Sequence, residues 1–434
     1  MPNIHLGILG LGTVGTGVVK LIQEHAEMLN KKIGASLCIG KIADLDLSTS
    51  RGLRIDPSLL TTDGNEVIED PEIQIVVELI GGIEAAREFS LKALKNGKHL
   101  VTANKALLAL HGREIYQAAA ENRVDLGFEA SVCGGIPIIR ALREGLVANR
   151  IQSMMGIING TANYILTHMS EEGQDFTSAL AEAQKKGYAE ADPTLDVEGL
   201  DAAHKLQILS SMAYGGYVDF DRIYVEGIRS ISPLDIKYAS EFGYKVKLLA
   251  ITKESDGGRE VRVHPTLIPE HYILASVGGV FNAVYIKGDA AGPILLYGQG
   301  AGQMPTASAV VSDIVEIALD ILSQRPSRSS SLPMRKAEEV GIAILDISEA
   351  RSRYYLRVSA LDKPGVLSQV SGILGNHHIS ISSVIQKERQ EESSVPVVMM
   401  THVAREGNMR QALQEIDQLD VVTAGTICIR VEGE

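Results

Sequence analysis

The sequence predicts an α/β protein with three parts: a parallel β-sheet, a mixed α+β segment and a C-terminal βαββαβ module. Three observations support this. Short apolar runs alternate with helical patterns over residues 1–130, a Gly/Pro loop changes the pattern from Glu129 onward, and a strand–helix–strand order occurs twice after residue 350. Alternating strands and helices favour a parallel sheet, because parallel strands need crossover connections.

A three-glycine motif opens the chain. Gly10, Gly12 and Gly15 follow the apolar run 4–9 and precede the amphipathic segment 13–28. The first glycine permits a tight turn, the second lets backbone N–H groups approach a pyrophosphate, and the third lets helix and strand pack closely. An ordinary glycine-rich βα turn is the alternative. The strand–turn–helix context favours a dinucleotide-binding, Rossmann-type sheet.

The first part continues with further βα units. The expected strands are Ile4–Leu9, Ser36–Ala43, Ile73–Ile80, Lys98–Val101 and Val124–Phe128, and the expected helices cover 13–28, 84–96 and 111–122.

Composition excludes several classes of protein. The 434 residues are 45% hydrophobic and 22% charged, which indicates two to four globular domains at about 100 to 200 residues each. A net charge of −13 leaves no basic surface for nucleic acid or an anionic membrane. Three scattered cysteines argue against disulfides or a zinc cluster. No apolar run reaches membrane-spanning length and no leader is apparent, so we expect a cytoplasmic protein acting on a small molecule.

The domain organisation follows from changes in composition. A Ser/Pro/Arg-rich stretch after Leu322 is typical of a linker, and the Gly-rich residues 298–306 begin a helix with an apolar stripe. We expect a dinucleotide-binding domain at 1–130 completed by helix 304–323, a catalytic and dimerisation domain at 131–303, a linker at 324–350, and a regulatory domain at 351–434.

A carboxylate-rich loop precedes an unusually apolar helix. Within the helix expected over 201–214, only Asp201, His204 and Lys205 can titrate, apart from the phenol of Tyr214 at its end. Such a helix is mostly buried. Asp201 and Lys205 share a face at i,i+4, and burying an ion pair costs several kcal/mol per ion, so the pair is better explained by function or specificity than by stability. A structural ion pair is the alternative.

A second lysine follows a strand. Lys105 comes after strand 98–101, at the edge where open α/β sheets bind ligands. A lysine near a substrate oxygen can exchange its proton once burial lowers its pKa. Lys105 and Lys205, with Glu190 and Asp201, therefore suit proton transfer beside hydride transfer. A solvated loop lysine is the alternative for Lys105.

Together these residues resemble homoserine dehydrogenases. The string from Gly187 to Lys205 is similar to the signature of that family, and residues 159–166 resemble its substrate-domain core. The glycine motif alone would not name a family. The resemblance implies reversible hydride transfer between NAD(P)H and L-aspartate 4-semialdehyde, giving L-homoserine for threonine, methionine and isoleucine biosynthesis.

The resemblance also implies residue roles. Lys205 would exchange the proton with the substrate oxygen, with Lys105 and Asp201 completing the catalytic set. Substrate-binding carboxylates would be Glu190, Asp196 and Asp201. The residues expected at the cofactor are Gly10, Gly12, Thr13, Val14, Gly15, Lys41, Thr102, Lys105 and Gly302.

A loop after the first part is similar to a cation site of the family. Its backbone carbonyls would hold a monovalent cation, expected to be sodium because oxygen-only ligation suits a hard cation. The expected ligands are Glu129, Val132, Gly134 and Ile136. Cys133 departs from the family, in which glycine is more usual at this position.

The cofactor could be NADP or NAD. Lys41 stands near the position expected to meet a 2′-phosphate, whereas Asp44 could instead bind a ribose diol. NADP is favoured.

The C-terminal part has a ferredoxin-like order. Strand 354–361, a helix from Pro364, strands 379–386 and 396–403, helix 407–419 and strand 422–431 give βαββαβ. The turn 361–367 is similar to that of ACT domains, which implies an amino-acid effector, expected to be L-threonine, at Asp362, Gly365 and Val366. We expect a homo-oligomer, either a dimer or a tetramer. A module serving assembly alone is the alternative.

Two rival functions differ in class. A phosphorylating semialdehyde dehydrogenase would use Cys133 as a nucleophile, but no Cys/His spacing supports an activated thiolate. A non-catalytic nucleotide and amino-acid sensor would keep both binding modules. The titratable residues of the apolar helix argue against a sensor.

Overall fold

The computed structural model describes residues 1–336, 338–387 and 394–433. The chain divides into two compact units. The first contains residues 1–152, 204–221 and 282–342, and the second contains residues 153–203, 222–281 and 343–434.

The helices and strands are as follows in chain order. Up to residue 150 they are β1 (Asn3–Leu9), α1 (Thr13–Glu24), α2 (Ala26–Ile33), β2 (Ser36–Ala43), β3 (Leu60–Thr61), α3 (Gly64–Glu69), β4 (Ile75–Glu78), α4 (Glu84–Lys95), β5 (His99–Thr102), α5 (Lys105–Glu121), β6 (Leu126–Gly127) and α6 (Ile138–Arg140). Next come β7 (Ile151–Ile157), α7 (Gly160–Glu172), α8 (Phe176–Lys185), α9 (Thr194–Val197), α10 (Leu200–Tyr214), β8 (Tyr224–Val225), α11 (Pro233–Glu241), β9 (Tyr244–Ser255), β10 (Gly258–Pro269), β11 (Phe281–Gly288), β12 (Gly292–Gln299) and α12 (Gln303–Leu322). The last are β13 (Arg351–Leu361), α13 (Val366–Asn376), β14 (Ile381–Ile385), β15 (Ser394–Thr401), β16 (Ala404–Arg405), α14 (Glu406–Ile416) and β17 (Val422–Val431).

The N-terminal sheet is parallel, which confirms the predicted fold class of this part. Its strand order is β3-β2-β1-β4-β5-β6, and every neighbouring pair is parallel. The order reverses between β1 and β4, and ligands of such sheets bind outside the carboxyl ends of the strands at this switch point.

Helix α12 shares the core of this sheet. Its buried Val310 and Ile314 lie in one apolar cluster with Leu6 and Ile8 of β1. Helix α1 approaches α12 closely at Gly17, where a Cβ would lie 2.8 Å from the Gln303 carbonyl oxygen. A larger residue at this position would force the helices apart.

Two helices of the first unit differ most from the sequence prediction. The helix expected over 13–28 is two helices, since α1 ends at Glu24 and α2 begins at Ala26. The helix expected over 111–122 begins already at Lys105, because the Asn104 side chain accepts a hydrogen bond from the Leu107 N–H and caps the first turn.

The second unit contains one continuous run of strands, β7-β9-β10-β17-β13-β15-β14. The last four are the C-terminal module, whose antiparallel pairs β17–β13, β13–β15 and β15–β14 confirm the predicted ferredoxin-like order. Strand β17 also pairs in parallel with β10, through Thr266–Arg430 and Leu267–Val431. The module therefore extends the sheet formed by β7, β9 and β10.

Buried charges reinforce this junction. Arg262 of β10 is only 1% exposed and donates to Glu260 at 2.9 Å and to Glu432, which follows β17. Lys253 of β9 lies 3.0 Å from the same Glu432 carboxylate. The nearby cations Arg262 and Lys253 outweigh burial and lower the pKa of Glu432.

Residues 324–342, the first part of the segment expected as a linker, belong to the first unit and are anchored there. The Arg328 N–H donates to Asp125 at 2.7 Å, and the Tyr217 N–H donates to the Arg335 carbonyl at 2.6 Å. Within residues 1–336, 338–387 and 394–433, no helix is long and apolar enough to cross a membrane.

We predict that Glu432→Ala lowers the free energy of unfolding by about 3 kcal/mol, because it removes one partner of the buried Arg262. Urea denaturation followed by circular dichroism measures the loss. The control is Glu349→Ala, which breaks the half-exposed pair with Arg405 and should cost less than about 1 kcal/mol. Equal losses for the two variants would contradict this account.

Candidate active site

Of the three glycines in the turn after β1, one borders space for a ligand and two are closely packed. Gly10 has φ +99°, and a Cβ there would lie 2.6 Å from the Leu79 carbonyl oxygen, while one at Gly15 would lie 2.1 Å from the Gly10 carbonyl oxygen. At Gly12, a Cβ would meet no atom of the described residues within 4 Å. Gly12 therefore borders open space directly before α1, as a pyrophosphate-binding turn requires.

The end of β2 brings charged groups to this turn. The Leu11 N–H donates to the Asp44 carboxylate, and the Arg51 guanidinium lies 3.6 Å from the same carboxylate. Lys41, expected at a 2′-phosphate, pairs with Glu66 at 3.0 Å. Sequence reasoning missed Arg51, because its polar loop carries no motif.

A hydrogen-bond chain at the ends of β4 and β5 leads to Lys105. The Thr102 hydroxyl donates to Glu78 at 2.5 Å and accepts from the Asn104 N–H at 3.0 Å. Burial raises the pKa of Glu78 to about 7. Because Asn104 caps α5, the half-buried Lys105 is the first residue of that helix. Glu78 was also missed, although its place at the end of an apolar strand was a usable signal.

In the second unit, Asn159 brings two predicted substrate carboxylates together. Its Nδ2 donates to Asp196 at 2.7 Å and to Asp201 at 2.8 Å. Its Oδ1 accepts from the Ala162 N–H at 2.7 Å and caps α7. Asp201 is only 5% exposed. Sequence reasoning noted the segment containing Asn159 and missed this bridging role.

The other predicted substrate and catalytic residues differ in burial and in the unit to which they belong. Helix α10 is largely buried, as its composition predicted, and Lys205 is half-buried within it. Glu190 lies on an exposed turn after α8, where its main-chain carbonyl accepts from the Gln184 amide at 3.0 Å. Lys105 and Lys205 belong to the first unit, and Glu190, Asp196 and Asp201 to the second.

In the expected cation loop, the Glu129 side chain is fully used by the fold. It is 4% exposed, and its two oxygens accept from the Ile139 and Arg140 N–H groups at 2.8 and 2.9 Å. Burial raises the pKa of this carboxyl. Glu129 could therefore contribute its main-chain carbonyl to a cation site, and carbonyls of Val132, Gly134 and Ile136 would complete a donor set suited to a hard monovalent ion.

Backbone conformation in this loop is unusual at Cys133. Cys133 has φ +57° and Gly134 has φ +51°, a left-handed region that non-glycine residues rarely adopt. A Cβ at Gly134 would lie 2.7 Å from the Gly300 carbonyl oxygen, so the loop packs directly against the segment before α12. Cys133 is 1% exposed, which does not suit a thiol that must reach a substrate.

The remaining predicted positions lie at two further helix starts. Gly302 precedes α12 with φ +127°, and Gly365 precedes α13 with φ +91°. Near Gly365, one oxygen of Asp362 is shielded from solvent and accepts no hydrogen bond from the part of the chain that the structure describes. Val366 is buried.

Comparison with known proteins decides the family. A family model described as "Homoserine dehydrogenase, NAD binding domain" matches residues 10–129, and one described as "Homoserine dehydrogenase" matches residues 137–315. A homoserine dehydrogenase of Neisseria gonorrhoeae is 46% identical over 434 residues, which is 100% of this chain and 99% of that protein. The chain belongs to the homoserine dehydrogenase family. An ACT domain model matches residues 354–421.

Solved structures agree with this membership. A homoserine dehydrogenase from Thiobacillus denitrificans has a TM-score of 0.93 and 47% identity, covering 100% of this chain and 99% of that one. A hyperthermophilic archaeal homoserine dehydrogenase in complex with NADPH has a TM-score of 0.63 and 28% identity, covering 73% of this chain and 98% of that one. The chain is therefore an NAD(P)-dependent oxidoreductase with a C-terminal ACT domain, and neither rival function applies.

We predict that Gly12→Val weakens NADPH binding by at least about tenfold, because its side chain would occupy the open space that a pyrophosphate needs. Fluorescence titration with NADPH measures the Kd, and thermal unfolding should be nearly unchanged. The control is Gly145→Val, another position where a Cβ meets nothing within 4 Å in the described part of the chain. Unchanged affinity in folded Gly12→Val protein would remove the turn from the cofactor site.

Proposed function

We propose that this enzyme catalyses the reversible NADP(H)-dependent reduction of L-aspartate 4-semialdehyde to L-homoserine in the cytoplasm. The observation that carries the proposal is that the buried helix α10 holds Asp201 and Lys205 within the residues that match the homoserine dehydrogenase model. Amino-acid biosynthesis is the corresponding cellular role.

Carboxylates would bind the cationic end of the substrate. L-Homoserine and L-aspartate 4-semialdehyde both carry an α-ammonium group, which pairs well with fixed carboxylate oxygens. Asp196 and Asp201, held together by Asn159, would supply these oxygens. Glu190, on its exposed turn, would add a third carboxylate to this set.

Lys205 would move the proton. When bound, a reduced nicotinamide supplies the hydride to the aldehyde carbon. Lys205 would donate a proton to the aldehyde oxygen during reduction and take it back during oxidation. Lys105, fixed at the first residue of α5 by the Asn104 cap, would be the second catalytic lysine beside the nicotinamide and substrate.

The residues present fit a dinucleotide. Gly12 leaves the space for the pyrophosphate, flanked by Gly10, Thr13, Val14 and Gly15, with Thr102, Lys105 and Gly302 toward the nicotinamide. NADP is favoured over NAD because two cations, Lys41 and Arg51, lie close to the end of β2. Both cations already face carboxylates, Lys41 that of Glu66 and Arg51 those of Asp44 and Asp46, so a 2′-phosphate would replace a carboxylate beside one of them. A sodium ion held by main-chain carbonyls of Glu129, Val132, Gly134 and Ile136 would order the loop beside α12.

Regulation would come from the ACT domain. L-Threonine would bind at Asp362, Gly365 and Val366, where the shielded Asp362 oxygen is able to accept an ammonium hydrogen. Assembly into a dimer or tetramer would bring ACT domains together. A ligand at this turn changes activity only if its affinity differs between two states of the enzyme.

We predict that Lys205→Ala lowers kcat by roughly 10² to 10⁴, because the substrate oxygen loses its proton donor. Steady-state oxidation of NADPH with L-aspartate 4-semialdehyde measures kcat, and NADPH affinity should barely change. The control is Lys95→Ala, an exposed lysine in the last turn of α4. Near wild-type turnover in Lys205→Ala would show that Lys205 is structural.

We predict that Asp362→Asn raises the threonine concentration for half-inhibition by about tenfold, because a charged acceptor for the ammonium is lost. Uninhibited kcat and KM should stay as in the wild type. The control is Asp420→Asn, an exposed aspartate of the same domain. If both variants respond as the wild type does, the effector site lies elsewhere, and if wild type shows no response, the domain serves assembly.

A further inference from the structure

We propose that Asn159 is a positioning residue for this reaction, with its side-chain amide fixing the distance and orientation between the carboxylates of Asp196 and Asp201. The proposal rests on the proposed role of those two carboxylates in binding the substrate ammonium. Asn159 itself acts through them and needs no contact with the substrate.

The orientation of the Asn159 amide follows from its hydrogen bonds. Its oxygen accepts from the Ala162 N–H at 2.7 Å, in the first turn of α7. Both hydrogens of Nδ2 are then directed to the other side, one toward Asp196 at 2.7 Å and one toward Asp201 at 2.8 Å. A flipped amide would turn its oxygen toward two carboxylates and its NH₂ group toward a backbone N–H, which loses all three bonds. The hydrogen bond that caps α7 and the two hydrogen bonds to Asp196 and Asp201 therefore require the same orientation of the amide.

The charge of the two carboxylates explains why the group between them is the neutral amide of Asn159. Two carboxylates brought to one group repel each other, and this repulsion disfavours the charged form of each. A lysine or arginine in place of Asn159 would relieve the repulsion by neutralising charge. The amide instead supplies one hydrogen bond to each carboxylate and adds no positive charge of its own, so it does not compete with a cationic substrate group.

The start of α7 is packed against residues 277–281. At Gly160, a Cβ would lie 2.9 Å from the Val280 carbonyl oxygen, so the helix start packs directly on residues 277–281. Buried Asn163, one turn further along α7, donates to the Gly279 carbonyl at 2.9 Å and to the Val277 carbonyl at 3.2 Å.

A buried lysine completes this support. Lys247 donates from β9 to the Val277 carbonyl at 2.6 Å and to the Asn163 oxygen at 3.3 Å. Burial lowers the pKa of Lys247 to about 8. Burying an ammonium opposes folding unless hydrogen bonds compensate for the lost hydration. Here the hydrogen bonds of Lys247 connect β9 with the 277–281 loop and with α7, the helix that Asn159 caps.

The decisive variant is Asn159→Asp. Aspartate caps a helix as well as asparagine does, so α7 keeps its start, but both donors are lost and a third carboxylate meets the other two. We expect the KM for L-homoserine to rise by about tenfold or more, as expected for the loss of two charge-assisted hydrogen bonds. NADP Kd should change little, whereas the thermal midpoint should fall because of the added repulsion.

Two further variants separate positioning from folding. Asn159→Ser keeps a capping oxygen, removes both donors and adds no charge, so it should raise the KM in the same direction by a smaller factor. The matched control is Asp175→Asn, which changes one charge at the cap of α8 in the same unit, where the side chain accepts from the Ser178 N–H. Its kinetics should match the wild type.

The outcomes distinguish this proposal from the proposed function. If Asp201→Asn raises the KM and both Asn159 variants leave it unchanged, the positioning role is overturned and the substrate role stands. If Asp201→Asn also leaves the KM unchanged, the substrate role itself fails. An unchanged KM in Asn159→Ser, whatever its thermal midpoint, would limit Asn159 to a structural role, which also overturns the proposal.

Discussion

Asn104 and Asn159 each accept a hydrogen bond from the first turn of the helix that follows, and each stands next to residues of the proposed chemistry. Glu129 accepts from the first turn of α6 in the same way. Backbone N–H groups at helix starts need acceptors, and three of those acceptors lie at the proposed cofactor edge, substrate carboxylates and cation loop. The same bonds that begin helices therefore fix the residues proposed to bind cofactor, substrate and cation.

Burial of carboxyl groups accompanies this arrangement. Desolvation raises the pKa of both Glu78 and Asp313 to about 7, and each accepts a backbone N–H, from Ile80 and Glu129 respectively. Because these folded-state values exceed those of the unfolded chain, their favourable contribution is present below pH 4 and falls as pH rises toward 7. The value of such buried carboxyls lies in the backbone segments that they hold in place, and they add no stability at neutral pH.

The C-terminal domain is physically continuous with strands of the second unit. Pairing of β17 with β10 makes one sheet. At that junction the buried Arg262 forms an ion pair with Glu432. Movement of the ACT strands would therefore disturb main-chain hydrogen bonds and a desolvated ion pair. Composition indicated a linker before this domain, and no local pattern could show that its last strand would join an earlier sheet, since pairing depends on residues far apart in sequence.

The sequence by itself determined the parallel N-terminal sheet, the glycine turn and the βαββαβ order, because periodicity and the conformational freedom of Gly10 act over a few residues. It also indicated Asp201 and Lys205, since charge in an apolar helix is conspicuous. It placed helix boundaries less well, as at Lys105, where a cap decided the start. Only the tertiary structure decided that Asn159 bridges Asp196 and Asp201 and that Arg51 lies beside Asp44, because side chains distant in sequence meet only after the chain has packed.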